Sequence, residues 1–199
     1  MSSSKSRGRI QFIFITILLD AIGIGILVPV LPDVLQRFSK NAVETSQYFG
    51  YFMLAYAAMQ FIASPILGSL SDRYGRRPIL LISLFGAGLD YLLMAFAPNL
   101  TLLFIGRMIS GLTGASMTVA SSYMADISDD SNRSANFGMI GAAWGLGFIA
   151  GPLLGGWLPV FGPKGPFIAA AVLNIINFLF GLIVLPESLA PDHRRSIQL

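Results

Sequence analysis

Apolar residues in this chain do not alternate with polar ones; they arrive in six long runs, approximately residues 10–31, 48–70, 78–97, 100–124, 136–158 and 166–185. Each run is close to the 20 or so residues that a helix needs to cross about 30 Å of hydrocarbon. A backbone in hydrocarbon must satisfy its own hydrogen bonds, which leaves helices or closed barrels. Runs of this length, with no ten-residue alternating segments, predict helices rather than barrel strands. The pattern therefore predicts an all-α integral membrane protein, with residues 1–199 forming a single six-helix transmembrane domain.

Composition agrees: 54% of residues are hydrophobic and 12% charged, and the mean hydropathy is +0.70. Too little polar surface remains to cover a soluble globule. The chain has no cysteine, so a disulfide framework and a thiolate metal site are excluded. The first run follows Lys5, Arg7 and Arg9 in the manner of a signal peptide, but it is too long, carries Asp20 and lacks a small-x-small cleavage pattern. It reads as a retained span.

Charge then orients the bundle. Nine of the thirteen basic residues fall on one side: Lys5, Arg7 and Arg9 at the N-terminus, Arg73, Arg76 and Arg77 in the second connection, Arg133 in the fourth, and Arg194 and Arg195 in the tail. The opposite side has Arg37, Lys40 and Lys164, and Arg107 lies inside a span. An excess of Lys and Arg marks the cytoplasmic face, so the expectation is a multi-pass protein of the inner (plasma) membrane with both termini cytoplasmic. The net charge of +3 reflects this topology and offers no support for a nucleic-acid partner.

The charged and amide side chains in the middle third of the spans are Asp20, Gln60, Asp90, Arg107, Asn174 and Asn177. At about 1.5 Å per residue, Asp20 lies roughly 15 Å and Asp90 roughly 18 Å from the cytoplasmic ends of their spans, with Arg107 about 10 Å below the outer face. All six thus fall near mid-membrane. A charge there costs about 2.5–3.5 kcal/mol if it faces lipid, so Asp20, Asp90 and Arg107 must face inward. Two roles are open, an ion pair that braces helices or a proton-exchanging site. Burial disfavours a charge and a neighbouring opposite charge restores it, so a small rearrangement could load or unload a carboxylate.

A shift of 87 residues lays "SPILGSL" (64–70) on "GPLLGGW" (151–157), Asp20 on Arg107 and Asp90 on Asn177. Three spans separate the copies, so the second is inverted relative to the first. In the second copy Gly147, Gly151 and Gly155 recur every four residues and share a helix face suited to close helix contact, with Gly156 beside them. Pro152 in the same stretch removes a backbone donor and is expected to bend the helix.

The connection "GSLSDRYGRRPILL" (68–81) packs Asp72, Arg73, Arg76 and Arg77 between Gly68, Gly75 and Pro78. It resembles the G-x-L-x-D-R-x-G-R-R signature of the major facilitator superfamily. "RMISGLTGAS" (107–116) and "GFIAGPLLGG" (147–156) resemble two further family motifs, the latter that of drug/proton antiporters. Together with "LDAIGIGILVPVLP" (19–32), "GAGLDYLLMAFAP" (86–98) and "LPES" (185–188), they make the chain most similar to the N-terminal half of tetracycline/proton antiporters.

The resemblance implies half of a major facilitator fold with a 3+3 inverted repeat. It makes Asp20, Asp90 and Arg107 the essential intramembrane charges and Gln60 a pocket residue. It also makes Gly68, Asp72, Arg73, Gly75, Arg76 and Arg77 a gating latch that closes the cytoplasmic end. The implied activity is expulsion of a metal-chelated tetracycline in exchange for protons, driven by the proton gradient with no bound cofactor. The implied partners are the bilayer, the drug, protons, and a complementary C-terminal six-helix half or a second copy, since the chain stops where the family's central loop would begin. An exporter of another small molecule and a partner-binding half that transports nothing are the alternatives. An enzyme is not expected: the one histidine, His193, lies in the tail, and "DISDDSN" (126–132) lacks the Gly and Glu of a calcium loop. Asp126, Asp129, Asp130 and Arg133 read as a solvated loop, with a secondary gating role as the other possibility.

Overall fold

The computed structural model describes residues 3–114, 116–190, 192 and 194, with side chains from residue 8 onward. His193, Arg195, the side chains of Lys5 and Arg7, and Ala115 of the "RMISGLTGAS" stretch lie outside the described residues. The helices are α1 (Ser3–Gln36), α2 (Ala42–Tyr74), α3 (Arg76–Phe96), α4 (Leu100–Thr113), α5 (Ser116–Asp126), α6 (Arg133–Trp157) and α7 (Gly165–Val184), with a 3-10 turn at Leu158–Phe161. There is no strand among the described residues. α4 and α5 share one span, so six segments are long and apolar enough to cross a membrane.

The helix ends follow local chemistry. Asn41 caps α2, its Oδ1 accepting from Glu44 N at 2.9 Å, while the Glu44 carboxylate accepts from the preceding Lys40 N at 2.6 Å. Asn99 caps α4, its Oδ1 accepting from Leu102 N at 2.9 Å. α1 and α2, at 34 and 33 residues, overrun the expected 10–31 and 48–70 because these polar ends keep coiling beyond the hydrocarbon.

Two boundaries differ in kind from the sequence expectation. The fourth run is not one helix: Gly114 N bonds back to Gly111 O at 3.3 Å and the Thr113 hydroxyl donates to Ile109 O, which tightens and ends α4. The connection at 68–81 is hardly a loop at all. Gly68, Asp72 and Arg73 belong to α2, Arg76 and Arg77 open α3 ahead of Pro78, and Gly75 alone lies outside a helix. Its φ of +105° is a conformation that L side chains rarely adopt.

α1 packs along α6, α2 along α4, and α3 along α7. These pairings fit the inverted repeat, whose exchange carries α1 to α4–α5 and α2 to α6 and so turns the first pair into the second. The α1–α6 seam is closed by glycine: Gly147, Gly151 and Gly155 are all buried against α1. A Cβ at Gly151 would come within 2.5 Å of Gly25 Cα and 2.8 Å of Ile22 O. Gly156 is exposed and turned away from this seam, and α6 continues helically through Pro152.

The core is split. One apolar cluster holds Ile26, Leu31, Leu35, Phe52, Met94, Leu103 and Phe167. The other holds Phe12, Ile17, Leu80, Leu84, Val119, Tyr123 and Ile140. Asp90 on α3, Arg107 and Ser110 on α4, and Asn174 and Asn177 on α7 lie between these two clusters, so the fold places a buried polar layer partway along the bundle.

Candidate functional site: a buried ion pair beside a central cavity

Asp90 of α3 and Arg107 of α4 form an ion pair in that layer, with side chains 0% and 3% exposed. Arg107 Nη2 donates to Asp90 Oδ2 and lies 3.1 Å from Met94 Sδ. Its guanidinium sits 5.4 Å from the ring centroids of Phe52 and Tyr56 and 5.8 Å from that of Tyr91. An aromatic enclosure of this kind offsets part of the cost of burying a cation. Two polar atoms stay unpartnered, Asp90 Oδ1 and Arg107 Nε. Gly106 makes room for the carboxylate, since a Cβ there would stand 2.9 Å from Asp90 Oδ1.

Arg107 borders a small cavity that Asp20, Tyr56, Gln60, Ser83, Ser110 and Ser116 also line. Its volume is about 50 Å³, enough for a few waters and well short of the roughly 300 Å³ at which drug-sized pockets begin. Asp20 keeps part of its surface open to this space. Asp90 is not among the lining residues; it stands behind Arg107. Gln60 has a structural duty as well, its Nε2 donating at 2.9 Å to the Gly114 carbonyl left free where α4 stops.

Asn174 and Asn177 share the layer and do not line the cavity. Asn174 Nδ2 donates to Ala170 O one turn back, and Asn177 Nδ2 reaches Thr16 Oγ1 across the α1–α7 contact at 3.2 Å. Their burial follows from helix packing. The serines and Tyr56 were not singled out from the sequence, yet spacing held a signal: Tyr56 is four residues before Gln60 and Ser110 three after Arg107, hence on the same faces. Ser83 Oγ, buried and unpartnered, has no such mark.

At the end of the bundle that carries Gly75, a second cluster ties four segments together. Arg76 pairs with Asp72 one turn earlier and its Nε donates to Asp126 Oδ2 at 3.2 Å, while Nη1 donates to Ser71 Oγ at 2.6 Å. Asp126 thus leaves the solvated loop, where Asp129 remains. The Asp129 carboxyl is held below the usual carboxylate range first by the Ser131 hydroxyl, and further by the Ser131 and Asn132 amides. Arg73 is exposed and lies over the Tyr74 ring, so Arg76 is the arginine that meets the acid.

Glu187, after α7, is the residue that sequence reasoning missed. Its carboxylate accepts from Arg76 N at 2.8 Å and Arg77 N at 3.2 Å, capping α3 from a segment about 110 positions away in the chain. A Cβ at Gly75 would collide with that carboxylate. Arg77 Nη2 donates to Leu182 O, Ser188 Oγ to Asp126, and Tyr123 OH to Pro186 O. Glu187→Ala is expected to cost about 1–2 kcal/mol, the worth of a helix cap or a charge-assisted hydrogen bond, and Glu187→Gln less because one acceptor oxygen survives. Thermal unfolding of the two purified variants in detergent measures the difference.

The sequence profile of the Major Facilitator Superfamily matches residues 13–198. The chain belongs to that superfamily. Within the Major Facilitator Superfamily it is 45% identical over 190 residues to the tetracycline resistance protein, class C, of Escherichia coli, which covers 96% of this chain and 48% of that one. It is 51% identical over 162 residues to the class B protein of Escherichia coli, covering 81% and 40% respectively. Among solved structures, the crystal structure of the human organic anion transporter MFSD10 (TETRAN) superposes with a TM-score of 0.86 at 26% identity, over all of this chain and 52% of that one. The chain spans about half the length of the curated relatives it matches.

Proposed function

We propose that this chain is the N-terminal half of a proton-coupled exporter that expels a tetracycline-like drug, carried as a metal chelate, across the inner membrane. The observation that carries the reading is the buried Asp90–Arg107 pair beside a cavity that Asp20 also lines. Similarity to tetracycline resistance proteins over most of the chain supports the cargo.

The proposed chemistry uses the chain's own groups. Asp20 and Asp90 are the proton carriers, and Arg107 stands between Asp90 and the cavity, so a proton or cargo that reaches Asp90 must displace the guanidinium first. The cavity is too small for a drug in this conformation. Binding therefore requires its walls to part, and the Asp72–Arg76–Asp126–Glu187 cluster is the proposed latch that resists parting at the cytoplasmic end, where both termini lie.

A second reading, a half that acts only with a partner, is favoured by α2. Its side chains at Val43, Tyr51, Leu54, Phe61, Ile62 and Ile66 are exposed, and few of its residues are buried. Tetracycline accumulation in cells tests both readings. Cells producing the chain with a complementary C-terminal half are expected to accumulate several-fold less drug than cells with either half alone. Accumulation as high as in cells without the transporter, from well-inserted halves, would contradict the tetracycline assignment.

A further inference from the structure

At the end of the bundle opposite Gly75, the 3-10 turn and α7 enclose a groove of about 660 Å³ whose apolar walls are Leu158, Phe161, Ile168, Ala169 and Val172. It belongs neither to the central cavity nor to the latch. From Lys164 at its mouth to Val172 the groove follows α7 for eight residues, about 12 Å of helical rise. It thus runs from the rim of a span into the hydrocarbon. The mouth is rigid: Pro163 and Pro166 flank Lys164, Gly162 N bonds to Pro159 O, and Gly165 N bonds to Gly162 O.

Lys164 Nζ is held 4.5 Å from the centroid of the Phe96 ring. Among the described residues no carboxylate pairs with it. Trp157 and Phe161, in edge contact at 5.4 Å and both exposed, mark the aromatic belt at the same level. A fixed, unpaired cation above an apolar slot that opens along a lipid-facing helix has the chemistry of a phospholipid seat. An acyl chain lies along α7, and the headgroup phosphate meets the ammonium.

We infer that this groove selectively holds an anionic phospholipid, with Lys164 as its headgroup contact. Attraction of one lysine for an anionic lipid surface corresponds to about fivefold in occupancy. A neutral or zwitterionic lipid would fill the slot without that preference.

The chain's two tryptophans, Trp144 and Trp157, give a direct readout. In a Trp144→Phe background, Trp157 fluorescence is measured in phosphatidylcholine vesicles containing either brominated phosphatidylglycerol or brominated phosphatidylcholine. The expected result is about fivefold stronger relative quenching by the anionic lipid, a ratio near one for Lys164→Gln, and retention in Lys164→Arg. Arg37→Gln, which removes a cation just past the end of α1, should leave the ratio unchanged. Equal quenching by the two lipids in the parent would overturn the inference. So would a preference that survives Lys164→Gln, or one lost equally in Arg37→Gln, which would show diffuse surface charge. Absence of quenching by either lipid would show that protein covers the groove, and would overturn it too.

Discussion

Arg107→Ala is expected to destabilise the bundle by about 3–5 kcal/mol, the usual penalty for leaving one member of a buried ion pair without its partner. The reason is local. Asp90 is fully buried between two apolar clusters, and one of its oxygens already lacks a hydrogen bond. Removing the guanidinium leaves a carboxylate with no charge to offset it and empties the space between Phe52, Tyr56 and Tyr91. Adding Asp90→Asn to the same chain is expected to recover about 2 kcal/mol, because contacting residues are not additive and the stranded charge is gone. Unfolding of the two single variants and the double variant in mixed micelles measures the coupling. Strict additivity would mean that the pair contributes no interaction of its own. Arg107→Lys is expected to fold and to lose most transport, since an ammonium lacks the planar fork and the ring-stacking surface.

Gly151→Leu is expected to be the most damaging change outside the polar layer. Backbone from α1 occupies the place of the new Cβ, with Gly25 Cα at 2.5 Å and Ile22 O at 2.8 Å. Neither neighbour is a flexible side chain that could swing aside. The helices must separate, which costs at least the roughly 1–3 kcal/mol of ordinary overpacking and opens a seam that runs half the length of the bundle. Gly156→Leu on the same helix is the matched control, since a Cβ there meets nothing within 4 Å. The ratio of folded, monodisperse protein for the two variants in detergent is the readout; equal yields would show that the α1–α6 contact is loose.

How much of this was legible in the sequence depended on which interactions were local. The six spans were, because hydrocarbon thickness sets run length whatever the tertiary packing. So was the polar layer, because a charge in the middle of an apolar run has few places to go. The break at Gly114 was not: nothing in "RMISGLTGAS" sets Gly114 apart from Gly111, and what stabilises the open end is Gln60 from another helix. Glu187 stands out only as part of "LPES", since nothing near it in the chain announces that its carboxylate caps a helix some 110 residues away. Arg73 follows Asp72 directly and Arg76 comes four residues after it, and either could have been taken as its partner. Only the i, i+4 geometry across Gly75 selects Arg76, and that geometry exists because α2 and α3 run almost into one another. Asn174 and Asn177 are buried like the pair but bond to Ala170 O and Thr16 Oγ1 rather than lining its cavity, a difference of rotation about the helix axis that position along a span does not carry.

The central claim is that the Asp90–Arg107 site couples protons to drug movement. Tetracycline uptake into inverted membrane vesicles containing this chain and a complementary C-terminal half, with an imposed proton gradient, tests it most directly. The expectation is gradient-dependent uptake that a protonophore collapses and that Asp90→Asn reduces to background while the protein remains inserted. Uptake that persists in Asp90→Asn, or that ignores the gradient, would contradict it.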